Sequence, residues 1–188
     1  MPILHIMPKR FGDERGWFSE TYNARKLAGH GLDIAFVQDN QSMSSEVGTV
    51  RGLHFQTPPH AQAKLVRCVK GAIWDVFVDV RRGSPTYGQS FGAILSAENG
   101  HQLYGPAGFA HGFVTLEPDS EVFYKVDGYY APECDGGIAW DDPDLALDWP
   151  LPTGGPTLSA KDRGLPRLAD FDSPFSYDGT PLGPVVIS

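Results

Sequence analysis

Turn formers recur along this chain about every ten residues, with short stretches of alternating side chains between them. Gly71, Arg82-Gly83-Ser84-Pro85, Asn99-Gly100, Gly105-Pro106 and Pro118-Asp119 are the clearest breaks. The 22 glycines and 16 prolines among 188 residues exclude a fold built on long helices. Glycine is entropically costly inside a helix, and proline lacks the N–H that a helix needs. The pattern favours many short strands in an antiparallel sandwich or barrel. Ala72, Trp74, Val76, Val78 and Val80 alternate with Ile73, Asp75, Phe77, Asp79 and Arg81, a strand with one wholly apolar face and one mixed face. Phe109–Leu116 is apolar on both faces, with His111 among aromatics, and Val122–Tyr130 reads as a further strand. Tyr22–Ala28 predicts a short helix stopped by Gly29, and Ser159–Arg163 predicts one helical turn. From Pro143 onward Pro, Gly and Asp dominate, with too few apolar residues for a separate core. The expected organisation is one domain over 1–188, with a core at about 8–142 and a C-terminal lid or wrap at about 143–188.

Charge and composition narrow the function. Fifteen Lys and Arg against 23 Asp and Glu give a net charge of -8. An acidic chain without a basic run is a poor match for nucleic acid, whose binding draws on phosphate neutralisation. No apolar run approaches the roughly 18 residues of a membrane span. The opening Met1-Pro2-Ile3-Leu4-His5 lacks the charged flank and apolar stretch of a signal peptide. Cys68 and Cys134 are too few for a disulfide framework. These features lead to the expectation of a cytoplasmic protein with no nucleic-acid or membrane partner.

Two clusters carry the chemistry. The first is Arg51-Gly52-Leu53-His54-Phe55-Gln56 with Lys64, and the second is Gly105-Pro106-Ala107-Gly108-Phe109-Ala110-His111-Gly112-Phe113. Their spacing resembles the two motifs of the cupin family. Five residues lie between Gly48 and His54, six lie between Lys64 and Gly71, and Gly100, Pro106, Gly108 and His111 fit the second motif. The departures are informative. A metal-binding cupin carries a second His where this chain has Gln56 and a carboxylate where it has Lys64. An ammonium group offers three donors and no acceptor, so Lys64 cannot ligate a metal. The expectation is a metal-free site with no cofactor, in which Lys64 and His111 offer positive charge or hydrogen-bond donors to an oxyanion.

A closer resemblance covers about Pro8 to Asp162. Phe11-Gly12-Asp13-Glu14-Arg15-Gly16-Trp17-Phe18, Phe36-Val37-Gln38-Asp39-Asn40, Arg51 to Gln56, Lys64-Leu65-Val66-Arg67-Cys68, Gly108 to Phe113, Tyr124-Lys125 and Leu158-Ser159-Ala160-Lys161-Asp162 resemble, in order, the dTDP-4-dehydrorhamnose 3,5-epimerase family. The resemblance implies an all-β, cupin-type double-stranded β-helix (jelly-roll) barrel with short peripheral helices and a C-terminal wrap. It implies a homodimer whose N-terminal residues contribute to the partner's site. It also implies an isomerase of dTDP-L-rhamnose synthesis, which supplies carbohydrate such as cell-surface polysaccharide. Its substrate would be a dTDP-4-keto-6-deoxy sugar inverted at C3 and C5; a relative acting at C3 only or C5 only has nearly the same residue set. A non-catalytic or metal-dependent cupin is the remoter alternative.

The residue types suit that chemistry. C3 and C5 flank the C4 ketone, so their protons are acidified, and inversion needs a base on one face and an acid on the other. His54 is the candidate base, because an imidazole pKa near 6.5 suits proton abstraction at neutral pH. By resemblance Asp162 orients His54, Lys64 stabilises the enolate oxygen and Tyr124 is the acid. Asp75 and His111 would line the same cavity. Arg15 and Arg51 suit a diphosphate, since guanidinium forks pair with phosphate oxygens. Phe18, Tyr129 and Tyr130 are candidates to stack on thymine, and Glu20, Gln38 and Asn40 to contact the nucleotide. Competing roles stay open. Ser159 to Asp162 also reads as a capping box, Arg15 suits a turn beside Asp13 and Glu14, and His111 suits a satisfied core histidine.

Overall fold

The computed structural model describes residues 1–188. Thirteen strands follow one another as β1 (Leu4–Ile6), β2 (Phe11–Asp13), β3 (Gly16–Phe18), β4 (Gln38–Ser44), β5 (Val50–Gln56), β6 (Lys64–Lys70) and β7 (Ala72–Asp79), then β8 (Ser90–Ser96), β9 (Gln102–Gly105), β10 (Phe109–Thr115), β11 (Ser120–Val126), β12 (Asp135–Gly137) and β13 (Val185–Ile187). Two short helices, α1 (Ala24–Gly29) and α2 (Ala160–Arg163), lie outside the sheets. One sheet has the order β13-β1-β9-β6-β11-β4 and the other β12-β5-β10-β7-β8, while β2 and β3 pair only with each other. Nearly every pairing is antiparallel; β1 with β13 is the parallel exception. This is an antiparallel two-sheet barrel, as the turn spacing predicts, and the jelly-roll that the family resemblance implies.

Three apolar clusters hold the layers. Ile3, Val66, Cys68, Leu103 and Val122 from one sheet meet Ile73, Phe77, Leu95, Phe109 and Phe113 from the other inside the barrel. Both faces of β7 are buried, for different reasons. Its mixed face, with Ile73 and Phe77, turns inward. Its apolar face, with Val76 and Val78, is covered by Leu145, Leu168 and Phe175 of the C-terminal wrap. Trp74 meets Trp149 of the wrap edge-on at 5.1 Å. The third cluster places Leu27 and Leu32 over Leu4, Ile6, Leu65 and Tyr104.

Two predicted boundaries move. The first helix begins at Ala24 rather than Tyr22, because Asn23 takes the N-cap position and its side chain accepts the Lys26 N–H. The strand expected to reach Tyr130 stops at Val126, so Tyr129 and Tyr130 lie in an exposed connection. The predicted turn after Pro143 is a one-turn helix, Ala160–Arg163, capped by Ser159.

Candidate active site

The side-chain period of two sets the site. On β5, Leu53 and Phe55 point into the outer cluster, which turns His54 and Gln56 to the barrel interior. On β10 the same alternation turns His111 inward beside Phe113, and His111 lies opposite His54 in the ladder. A Cβ on Gly52 would come within 2.7 Å of the Gly112 Cα, and its φ of +124° is unfavourable to other residues. Glycine at this point is therefore what allows β5 and β10 to approach beside His54. Lys64 on β6 and Tyr124 on β11 share the inward face of the opposite sheet with Val66 and Val122.

His54, Lys64, Tyr124 and Lys161 lie where two cavities join. One cavity, about 520 Å³, is also lined by Arg51, His111 and Asp162. The other, about 380 Å³, is also lined by Gln38, Asn40, Gln56, Tyr130 and Asp135. The largest cavity, about 640 Å³, lies elsewhere, between β1, α1 and the end of the chain, and it contains none of these four side chains.

His54 Nε2 lies 2.5 Å from Asp162 Oδ1. The Ser159 hydroxyl donates to Asp162 Oδ2 at 2.9 Å and accepts the Asp162 N–H at 3.0 Å. The Ser159 cap and the contact with His54 thus coexist, because the cap uses the amide of Asp162 and leaves Oδ1 to the imidazole. Burial pushes the Asp162 carboxyl up, but the hydrogen bond and charge of His54 and the Ser159 hydroxyl hold it below the usual range. Ring tautomers follow from such contacts; an ionised Asp162 accepts the hydrogen bond that the Nε2–H donates, which leaves the lone pair on Nδ1.

Lys64 sits half-buried, its Nζ donating to the His54 carbonyl at 3.4 Å. Burial pushes its pKa down to about 8; Asp75 and Asp135 oppose this, and Lys161 adds to it. Burial pushes the Tyr124 hydroxyl up, with Arg51 in partial opposition. His111 Nε2 pairs with Asp75 Oδ1 at 2.7 Å, and burial outweighs that carboxylate and pulls the imidazole pKa down. Asp75 is fully buried behind His111 and does not itself line the cavity, contrary to expectation. Its Oδ2 has no protein hydrogen-bond partner.

The structure gathers Gln38, Asn40, Arg51 and Tyr130 around the four shared side chains. It leaves others out. Arg15 stands on the exposed β2–β3 hairpin, its guanidinium on Asp13 at 2.6 Å, as its turn-stabilising alternative anticipated. Phe18 is 70% exposed on the same hairpin. Glu20 pairs with Lys26 at 2.7 Å and lines the largest cavity instead. Of the two tyrosines only Tyr130 lines the second cavity; Tyr129 points to solvent, because the strand ended before it. Sequence reasoning gave no role to Lys161 or Asp135, an ion pair at the junction whose Asp135 carboxylate also accepts the Tyr130 hydroxyl at 3.4 Å. The signal for Lys161 was present, since it precedes Asp162 on a single helical turn.

Comparison with known proteins places this geometry among relatives. The sequence profile of the family described as dTDP-4-dehydrorhamnose 3,5-epimerase matches residues 2–170. A dTDP-4-dehydrorhamnose 3,5-epimerase from Sinorhizobium fredii is 52% identical over 172 residues, covering 92% of this chain and 88% of the relative. The fold is also similar to the crystal structure of the Bacillus anthracis enzyme with TDP and PPi bound (TM-score 0.82, 54% identity, 85% of this chain and 90% of that one). It resembles the Legionella pneumophila dTDP-6-deoxy-D-glucose-3,5-epimerase in complex with dTDP-4-keto-L-rhamnose as well (TM-score 0.84, 46% identity, 88% of this chain and 87% of that one). With the fold, the order of the motifs and the match over residues 2–170 in agreement, this chain belongs to the dTDP-4-dehydrorhamnose 3,5-epimerase family.

Proposed function

We propose that the protein inverts C3 and C5 of dTDP-4-dehydro-6-deoxy-D-glucose, giving dTDP-4-dehydro-L-rhamnose. The observation that carries this reading is one junction with a histidine–carboxylate pair on one wall and a lysine and a tyrosine on the other. His54 takes the proton from the carbon beside the ketone, through the Nδ1 that Asp162 leaves free. The C–H electron pair moves into a C=C bond, and the C4 oxygen becomes an enolate beside the Lys64 ammonium. Tyr124, on the opposite sheet and protonated at neutral pH, returns a proton to the other face. The sequence of steps moves protons only and needs no electron acceptor. Proton NMR of the keto sugar with enzyme in heavy water tests it. Deuterium should enter at both C3 and C5, and incorporation at neither carbon would refute the reading. Full turnover is expected to survive prolonged chelation, because Gln56 and Lys64 replace two ligands; loss of activity restored by a divalent ion would overturn the metal-free mechanism.

Arg51, Gln38, Asn40 and Tyr130 would hold the nucleotide, with Tyr130 rather than Tyr129 against thymine and His111 and Asp75 behind the sugar. Arg15, Phe18 and Glu20 would act across a homodimer. Support comes from the hairpin, which exposes Phe11, Trp17 and Phe18 at 56%, 57% and 70% and makes no ladder with the rest of the chain. In this reading residues 1–188 work as one domain, since the wrap packs onto the barrel, and the protein acts in the cytoplasm.

A further inference from the structure

Gln56 replaces a ligand position of the metal-binding cupin motif, and its side chain is fully engaged by backbone. It is 4% exposed. Its Nε2 donates to the His60 carbonyl at 2.7 Å and to the Tyr129 carbonyl at 3.2 Å, and its Oε1 accepts the Ala131 N–H at 2.7 Å. The Tyr130 N–H between them donates to Gln38 Oε1 at 3.2 Å, and Gln38 Nε2 donates to Asn40 Oδ1 at 2.9 Å. Three consecutive backbone groups beyond the end of β11 are thus held by two glutamine side chains rather than by a strand ladder. The segment needs such anchors, because Tyr129 and Tyr130 are 70% and 58% exposed. An exposed connection without them samples many backbone conformations.

We infer that Gln56 is a positioning residue for nucleotide binding: it fixes the Tyr129–Ala131 segment so that Tyr130 already forms a wall of the cavity before substrate arrives. The inference rests on the reading above that Tyr130 faces the nucleotide. Its physical content is preorganisation. A wall ordered in the free enzyme costs no conformational entropy when the ligand binds. The chemistry at His54 is separate, because that imidazole is held by Asp162 and not by Gln56.

Gln56→Glu is the discriminating variant. It keeps the volume and the acceptor for Ala131 but turns a carboxylate against the His60 and Tyr129 carbonyls. Loss of two hydrogen bonds should raise Kd for dTDP about ten-fold, with KM for the sugar nucleotide rising in parallel. At saturation kcat should fall by a smaller factor than kcat/KM, since lost binding common to ground and transition states appears in KM. A merely structural role would lower stability and the active fraction without this split. Tyr130→Ala is the companion. If Tyr130→Ala leaves dTDP affinity unchanged, the nucleotide reading of Tyr130 fails and this inference with it. If Tyr130→Ala weakens binding and a folded Gln56→Glu does not, the positioning role alone fails. Amide exchange in the unaltered protein keeps the test open should Gln56→Glu not fold. The Ala131 N–H should be protected in the free enzyme as well as in the dTDP complex, and exchange at open-loop rates in the free enzyme would overturn the inference.

Discussion

Asp162 carries two roles on separate atoms, its amide in the helix cap and its carboxylate on His54. Asp162→Asn separates them. Asparagine at this position still offers its N–H to Ser159, so the cap survives, but it carries no charge to stabilise the imidazolium of His54. The expected result is a small change in Tm, below the ~1 kcal/mol of a lost cap, and a fall in kcat on the order of 10²–10⁴. Near-normal turnover in a less stable protein would return Asp162 to a purely structural role. Lys64 gives a pH prediction. A cation whose pKa lies at about 8 is lost as pH rises through that value, well before an ordinary lysine. kcat/KM, which reports the free enzyme, should therefore fall above about pH 8. Arginine stays protonated throughout, so Lys64→Arg should move that limb upward in a pH–rate profile, whatever its absolute rate. The stability sign is the reverse. The unfolded chain binds the proton more tightly than the folded one between about pH 8 and the ordinary lysine range, so this residue adds stability as pH rises there.

At the scale of elements, the C-terminal wrap converts an exposed apolar face of β7 into a second core. Phe175 is 6% exposed, sits with Val76, Val78 and Val80, and meets Phe55 edge-on at 5.6 Å. Its backbone carbonyl accepts the Arg82 N–H. Phe175→Ala should cost about 3–5 kcal/mol, the range for a truncated core aromatic, in a urea unfolding curve. KM and kcat of the folded fraction should not change, because Phe175 lines neither cavity of the site. A selective loss of activity without loss of stability would show that the wrap reaches the reacting groups.

At the scale of the whole molecule, Arg15 and His54 test whether two chains share a site. In a twofold dimer each site would draw His54 from one protomer and Arg15 from the other. Arg15→Ala and His54→Ala proteins should each have little activity. Unfolded together and refolded as an equal mixture, they should recover about a quarter of the normal rate, since half of the dimers then carry one intact site. Assay of the refolded mixture against each parent checks this; no recovery despite confirmed mixed dimers would assign Arg15 to its own chain's site or to the Asp13 turn alone.

The sequence by itself determined the strand-rich architecture, because side-chain alternation and turn chemistry are local properties of consecutive residues. It also placed strands over most of β7, β10 and β11, where alternation is legible in the residues themselves. Family resemblance selected His54, Lys64, Tyr124 and Asp162 as a set. Only the tertiary structure brought Asp162 to His54 across a sequence separation of 108, since that contact depends on how the wrap folds back over the barrel. It also decided that Asp75 lies behind His111, that Lys161 and Asp135 pair at the junction, and that Tyr130 rather than Tyr129 faces the cavity. The placement of Tyr130 depends on where β11 stops and on which backbone groups Gln56 captures. Long-range hydrogen bonds decide both, and the spacing of residues along the chain does not encode them.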